Sequence, residues 1–171
     1  NQLRKKLGFR AKLILSGGEP LLSPMLQPLL DFVLTIEPDL DVTVLTNGTL
    51  ANTIDLDLFK KCKRAIFQVS LDGPTAEIHD RIRGQGSFDK TRIGIAHLLR
   101  NRFEVNLSCV LSKTSSLFIS DLFETAQLWD VGQLGFPRLI NNGYAKTLVS
   151  NGDDRPLFPH ELKAAYRKIL T

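Results

Sequence analysis

Three short motifs in this chain join glycine to residues that can bind a polar ligand: Gly17-Gly18-Glu19-Pro20, Thr46-Asn47-Gly48 and Ser70-Leu71-Asp72-Gly73-Pro74. Paired glycines let the backbone approach a ligand closely and bare its amide groups. The carboxylate beside them, Glu19, can accept from an ammonium group, and charge strengthens that bond. Ser70 and Asp72 fall on one side by strand parity, and a hydroxyl next to a carboxylate can take ribose hydroxyls. Taken singly, each motif also reads as a tight turn, because Asn-Gly and Asp-Gly are common turn signals.

What sets the three apart is their common position. Each ends a short β-branched run, and a helical stretch follows. The strands read as Lys12–Ser16, Asp41–Thr46, Arg64–Leu71, Glu104–Leu111 and Gln133–Ile140. The helix after the first has Ser23 as N-cap, Pro24 at its first position and a stripe of Met25, Leu26, Leu29, Leu30, Val33 and Ile36. Further helices read as Asp55–Cys62, a turn at Ala76–Arg81, a long helix from a capping Ser87 to about Arg102 with Ile93, Ala96 and Leu99 inward, Leu117–Trp129, and Pro159–Leu170. Phe118, Leu122, Phe123 and Trp129 lie on or near one side of the fourth of these. Asn141-Asn142-Gly143 reads as a turn, and Gly152, Asp153 and Asp154 as a loop.

Strands that alternate with helices make βα units and a parallel sheet with right-handed connections. An open doubly wound sheet and an incomplete barrel both satisfy this pattern. The strand faces bear on the choice. Phe67, Val69 and Leu71 alternate with Gln68, Ser70 and Asp72; Val105, Leu107, Cys109 and Leu111 alternate with Asn106, Ser108 and Ser112. A doubly covered sheet is apolar on both faces. One polar face fits a sheet curled round a wet cavity, and equally a few hydrogen-bonded polar groups in an ordinary core.

The bulk properties narrow the function. With 171 residues the chain has length for one domain, and less than the roughly 250 of a closed eight-unit barrel. Hydrophobic residues at 43% and charged residues at 23% exclude wholesale disorder. The net charge of +4 is spread: Arg4, Lys5 and Lys6 form a short run, and Lys60, Lys61, Lys63 and Arg64 close a helix, where cations suit the dipole. No basic stripe with interleaved aromatics points to nucleic acid. No apolar run reaches the roughly 20 residues that span a bilayer. Asn1 leads straight into a charged segment, which is not a signal peptide; with no initiator Met, a fragment or processed chain is expected. Cys62 and Cys109 are far apart, with neither disulfide pattern nor metal-binding spacing, so no metal ligand is assigned and a reducing cytoplasm is the expected compartment.

The ordered set Leu-Ser-Gly-Gly-Glu-Pro-Leu-Leu-Ser-Pro (15–24), Thr-Asn-Gly (46–48), Ser-Leu-Asp-Gly-Pro (70–74) and His-Asp-Arg-Ile-Arg-Gly-Gln-Gly-Ser-Phe-Asp (79–89) resembles the radical S-adenosylmethionine (SAM) superfamily. It is most similar to the branch with a C-terminal SPASM or twitch extension, which includes sulfatase-maturing and peptide-modifying enzymes. The resemblance implies an α/β fold: part of a (β/α)6 partial TIM barrel, one incomplete core domain over residues 1–171. It implies that Gly17, Gly18, Glu19 and Pro20 meet the amino group of SAM. Ser70 and Asp72 would meet its ribose, and Asn47 would lie at the mouth. Arg83, Arg92 and Arg138 are candidates for its carboxylate, with a surface role for Arg83 equally open. Gln68, Asn106 and Ser108 would face substrate, or bond to one another. His79, Asp80, Gly84 and Gly86 read as structure.

The family holds a [4Fe–4S] cluster with Cys-x3-Cys-x2-Cys after its first strand, and this chain has no such motif. The chain is therefore expected to begin just before the family's second strand, and to be inert alone. The implied parent enzyme cleaves SAM reductively to a 5′-deoxyadenosyl radical that abstracts hydrogen from a peptide or protein. A flavodoxin or ferredoxin-type protein would supply the electron. A small-molecule substrate and a degenerate, non-catalytic SAM- or partner-binding barrel are the alternatives. An unrelated nucleotide-binding fold is disfavoured, since neither G-x-G-x-x-G nor G-x4-G-K-[ST] follows a strand.

Overall fold

A computed structural model describes residues 6, 8, 11–140, 150 and 154–170. The turn at Asn141-Asn142-Gly143 and the loop residues Gly152 and Asp153 lie outside the described residues. The elements are β1 (Lys12–Leu15), α1 (Leu26–Ile36), β2 (Asp41–Thr46), α2 (Asp57–Lys60), β3 (Arg64–Ser70), α3 (Ala76–Arg83), α4 (Ser87–Arg100), β4 (Glu104–Ser108), α5 (Ile119–Leu128), β5 (Gln133–Gly135) and α6 (Pro159–Leu170).

The sheet order is β1-β2-β3-β4-β5. β1 pairs in parallel with β2, β2 with β3, and β4 with β5. An unbroken sequential order is that of βα units laid side by side, as in a barrel. A doubly wound sheet reverses its order at a switch point, and none occurs among the described strands.

The chain divides into two compact units, Asn1–Val69 with Lys90–Val105, and Ser70–Asp89 with Asn106–Thr171. In the first, Leu30, Val42, Val44, Phe59, Phe67, Val69, Ile95 and Leu98 are buried. Phe67 sits edge-on between Phe59 at 5.0 Å and Phe103 at 5.3 Å, the T-shaped arrangement that ring quadrupoles favour. In the second, Leu111, Ile119 and Ala165 make a core against which Phe136, Leu157, Leu162 and Ile169 pack. On β3, Ala65, Phe67 and Val69 are buried while Ile66, Gln68 and Ser70 are partly exposed, as strand alternation requires.

Several boundaries differ from the sequence reading. Ser23 does not cap α1. Its hydroxyl accepts from the Met25 N–H at 3.3 Å, Pro20–Leu22 form a 3-10 turn, and α1 begins at Leu26. The short serine bond competes with helix continuation. Of the predicted α1 stripe only Leu30 is buried. On α4 the inward set is Thr91, Gly94, Ile95 and Leu98, whereas Ile93 and Ala96 are exposed and Leu99 is half-buried. On α5, Ile119, Leu122 and Ala126 are buried and Phe123 is exposed. β5 ends at Gly135 and not Ile140, because Pro137 has no N–H for the ladder. Pairing resumes only as a parallel bridge of Leu111 with Arg138.

Candidate cofactor site

In the first unit the register sets Leu15 against Val44 and Thr46 against Val69, so the ends of three strands lie along one edge. Glu19 ties two of those ends together. Its Oε1 accepts from the Leu21 N–H at 3.2 Å and the Thr46 hydroxyl at 2.7 Å, and its Oε2 accepts from the Asn47 N–H at 2.8 Å. The Thr46 hydroxyl in turn accepts from the Gly48 N–H at 2.9 Å. The Asn47 side-chain oxygen accepts from the N–H and the hydroxyl of Thr49 at 2.9 and 2.8 Å, a local turn that Asn favours. These bonds shape the Thr46-Asn47-Gly48 loop before any ligand arrives.

Gly17 and Gly18 stand on the open side of this tie. Gly17 has φ of +138°, and a Cβ at either position would meet nothing within 4 Å. Packing therefore gives no reason for glycine at 18; open approach to backbone does. Pro20 is buried and starts the 3-10 turn.

Helix α4 supports the same loop through residues that the sequence reading did not single out. The Thr91 hydroxyl donates to the Asn47 carbonyl at 2.9 Å. A Cβ at Gly94 would run into the Gly48 carbonyl, and a Cβ at Gly48 would come within 2.7 Å of Val69 Cγ1. A glycine inside a predicted helix was the available signal, since it costs about 1 kcal/mol against alanine unless packing needs it. Arg92, the neighbour of Thr91, is on the exposed side of α4.

In the second unit, Ser70 ends β3 and is partly exposed. Asp72 lies beyond the strand, so strand parity does not govern its direction. Its Oδ2 accepts from Nε of Arg83; the two side chains are 7% and 29% exposed. Asp72 Oδ1 is buried without a partner, as is the amide oxygen of Asn106. The Asp72 N–H donates to Nδ1 of His79 at 3.2 Å. His79 is fully buried, and burial holds its pKa below the ordinary value, with Arg83 adding to that and the carboxylates of Asp72 and Asp80 opposing it. A neutral ring with a free Nδ1 lone pair fits the acceptor role.

Asp80, and not Ser87, caps α4. Its carboxylate accepts from the N–H groups of Gly86 and Phe88 at 2.6 and 2.8 Å and from the Ser87 hydroxyl at 2.9 Å. His79 packs edge-on against Phe88 at 5.8 Å. Through its carboxylate contacts Asp80 joins α3 to the start of α4. Ser108 is buried and its carbonyl accepts from the Leu71 N–H at 3.0 Å. Arg138 is exposed at its bridge to Leu111, and Gln68 is partly exposed on β3.

The residues present do not fit an iron–sulfur cluster. Among the described residues no group of three His, Cys, Asp or Glu side chains could hold a metal ion. Cys62 and Cys109 are both buried. Burial pushes the Cys62 thiol up, and burial with nearby Asp72 pushes Cys109 up to about 12, away from the thiolate that metals need. Replacing both cysteines by alanine is expected to leave unchanged any iron that the full-length protein takes up on reconstitution, as measured by iron content and visible absorbance; loss of iron would show them to be ligands. No helix among the described residues is long and apolar enough to cross a membrane.

The sequence signature described as the Radical SAM superfamily matches residues 1–115. The AdoMet-dependent heme synthase of Methanosarcina barkeri is 34% identical over 116 residues, 67% of this chain and 33% of that protein. AlbA of Bacillus subtilis, described as an antilisterial bacteriocin subtilosin biosynthesis protein, is 40% identical over 79 residues, 45% of this chain and 17% of the relative. The chain thus spans a third or less of these two proteins. In fold it resembles Streptococcus suis SuiB, solved bound to S-adenosylmethionine, with a TM-score of 0.65 at 18% identity over 85% of this chain and 33% of SuiB. The same protein has been solved bound to its precursor peptide SuiA. With a match over residues 1–115 and the strand-end motifs in place, the chain belongs to the radical SAM superfamily.

Proposed function

We propose that this chain is the SAM-binding part of an enzyme that cleaves SAM reductively and modifies a peptide or protein. The observation that carries this reading is the glycine pair, free of packing constraint, beside a carboxylate already fixed in place. SAM brings donors in its ammonium group, ribose hydroxyls and adenine amine, and the first unit offers Glu19 as a fixed carboxylate acceptor. Bound SAM supplies the 5′-carbon on which radical chemistry of this family depends.

In the first unit, Gly17, Gly18 and Glu19 take the methionyl ammonium group, with Pro20 fixing the turn and Asn47 shaping the mouth. In the second, Ser70 meets the ribose region and Arg83 meets the carboxylate. Arg83 is put forward, with Arg92 and Arg138 as the alternatives, and a buried carboxylate anchors it. Gln68, Asn106 and Ser108 are assigned to substrate, and the orphaned Asn106 oxygen calls for a donor there. A flavodoxin or ferredoxin-type protein is the proposed electron source, and the cytoplasm the proposed compartment. None of these residues fits a cluster.

AlbA, named for bacteriocin biosynthesis, favours a peptide substrate. The heme synthase favours the second reading, a small molecule. Gly18→Ala separates ligand approach from packing. In the full-length protein its melting temperature should stay within about 1–2 °C of wild type, while the Kd for SAM by calorimetry rises about tenfold or more. Unchanged SAM affinity would remove the glycine pair from the site.

A further inference from the structure

Helix α3 is fastened to the loop after β3 at two points one helical turn apart. His79 and Arg83 are four residues apart and therefore share a face. Both reach Asp72, His79 by accepting its backbone N–H at 3.2 Å, and Arg83 by donating from Nε to its carboxylate. Gly73 lets the helix sit this close, since a Cβ there would run into Ile78 and come within 2.9 Å of the His79 backbone nitrogen. Downstream, Asp80 ties α3 to the start of α4. Arg83 thus lies on a helix that is fixed at both its loop contacts.

The chemistry of the pair gives it direction. A buried carboxylate holds a guanidinium strongly because the carboxylate cannot fall back on water. The Nε bond uses one of the five N–H donors that a guanidinium carries in a rigid planar fork. A fork held at Nε is oriented while the rest of its donors stay available to a second anion, and the Arg83 side chain is 29% exposed.

We infer that Asp72 and His79 are positioning residues that set the Arg83 guanidinium for an anionic group on the ligand. This rests on the SAM-binding reading above, in which that group is the SAM carboxylate. Asp72 then serves SAM through Arg83, and not by the ribose contact that strand parity suggested.

The test compares SAM with decarboxylated SAM in the full-length holoprotein by calorimetry. The ratio of the two Kd values reports carboxylate recognition. Any share contributed by other groups is common to all variants and divides out. Arg83→Met should lower the wild-type ratio by about tenfold or more. Asp72→Asn and His79→Phe should move it most of the way to the Arg83→Met value. His79→Asn, which restores an acceptor where Nδ1 stands, should bring it back to within about threefold of wild type.

A merely structural role for Asp72 and His79 would weaken both ligands alike and leave the ratio unmoved, which overturns the inference. If His79→Phe lowers the folded fraction, the near-isosteric Asp72→Asn decides alone. If SAM binds but Arg83→Met leaves the ratio unchanged, the Arg83 assignment is wrong and the inference falls. If wild type binds neither compound, the SAM-binding reading itself fails.

Discussion

Replacing Glu19 by alanine is expected to cost about 3 kcal/mol of stability and to raise the Kd for SAM about 100-fold or more. Three hydrogen bonds converge on this carboxylate, from the backbone of its own turn, the side chain of Thr46 and the backbone of Asn47. Bonds to a charged acceptor are worth about 1.5–3 kcal/mol each, and water at this part-buried site recovers some of that. Glu19→Gln separates the two roles. Its amide oxygen can still accept from Thr46 and Leu21, but its NH2 group would face the Asn47 N–H, donor against donor. A stability loss of about 1–2 kcal/mol is expected for it, with at least a tenfold loss of SAM affinity as the charge facing the ammonium disappears. Urea unfolding and calorimetry on the full-length protein check both. If the glutamine variant bound SAM as wild type does, Glu19 would be a loop tie only.

The second large effect is Gly94→Ala, expected to destabilise by about 3 kcal/mol, the upper part of the range for an overpacked site. Helix propensity alone predicts the opposite sign, since alanine exceeds glycine by about 1 kcal/mol in a helix interior. The sign turns on the Gly48 carbonyl, which a Cβ at Gly94 would strike, with Ala51 Cβ a further 3.2 Å contact. A Cβ against a backbone carbonyl has no rotamer to escape through. The displaced segment is Asn47-Gly48, whose shape also depends on Thr91, so SAM affinity should fall together with the unfolding midpoint. A stabilised variant would show that α4 can withdraw from the loop without loss.

Much of this was legible in the sequence. Asp41–Thr46 and Pro159–Leu170 match their elements residue for residue, and the sequential strand order settles what alternation of strands and helices left open. The strand-end motifs were legible because each carries its own chemistry. What was not legible was contact over distance. Glu19 reads as a free carboxylate until the fold brings Thr46 and Asn47 to it, and nothing in the spacing shows that α3 returns Arg83 to Asp72. On α4 an apolar stripe through Ile93, Ala96 and Leu99 was as good a pattern as the real one. The helix turns Thr91 and Gly94 inward because small residues allow backbone approach, which hydrophobic periodicity does not report.

The central claim is that these residues hold SAM for radical chemistry. Its most direct test uses the full-length protein, reconstituted anaerobically with iron and sulfide and given SAM with a strong reductant, and reads 5′-deoxyadenosine by mass spectrometry. Release is expected, with near-complete loss of it in Glu19→Ala and Ser70→Ala at unchanged iron content. A folded, reconstituted protein that binds iron and releases no 5′-deoxyadenosine would contradict the account and leave a binding barrel without radical chemistry.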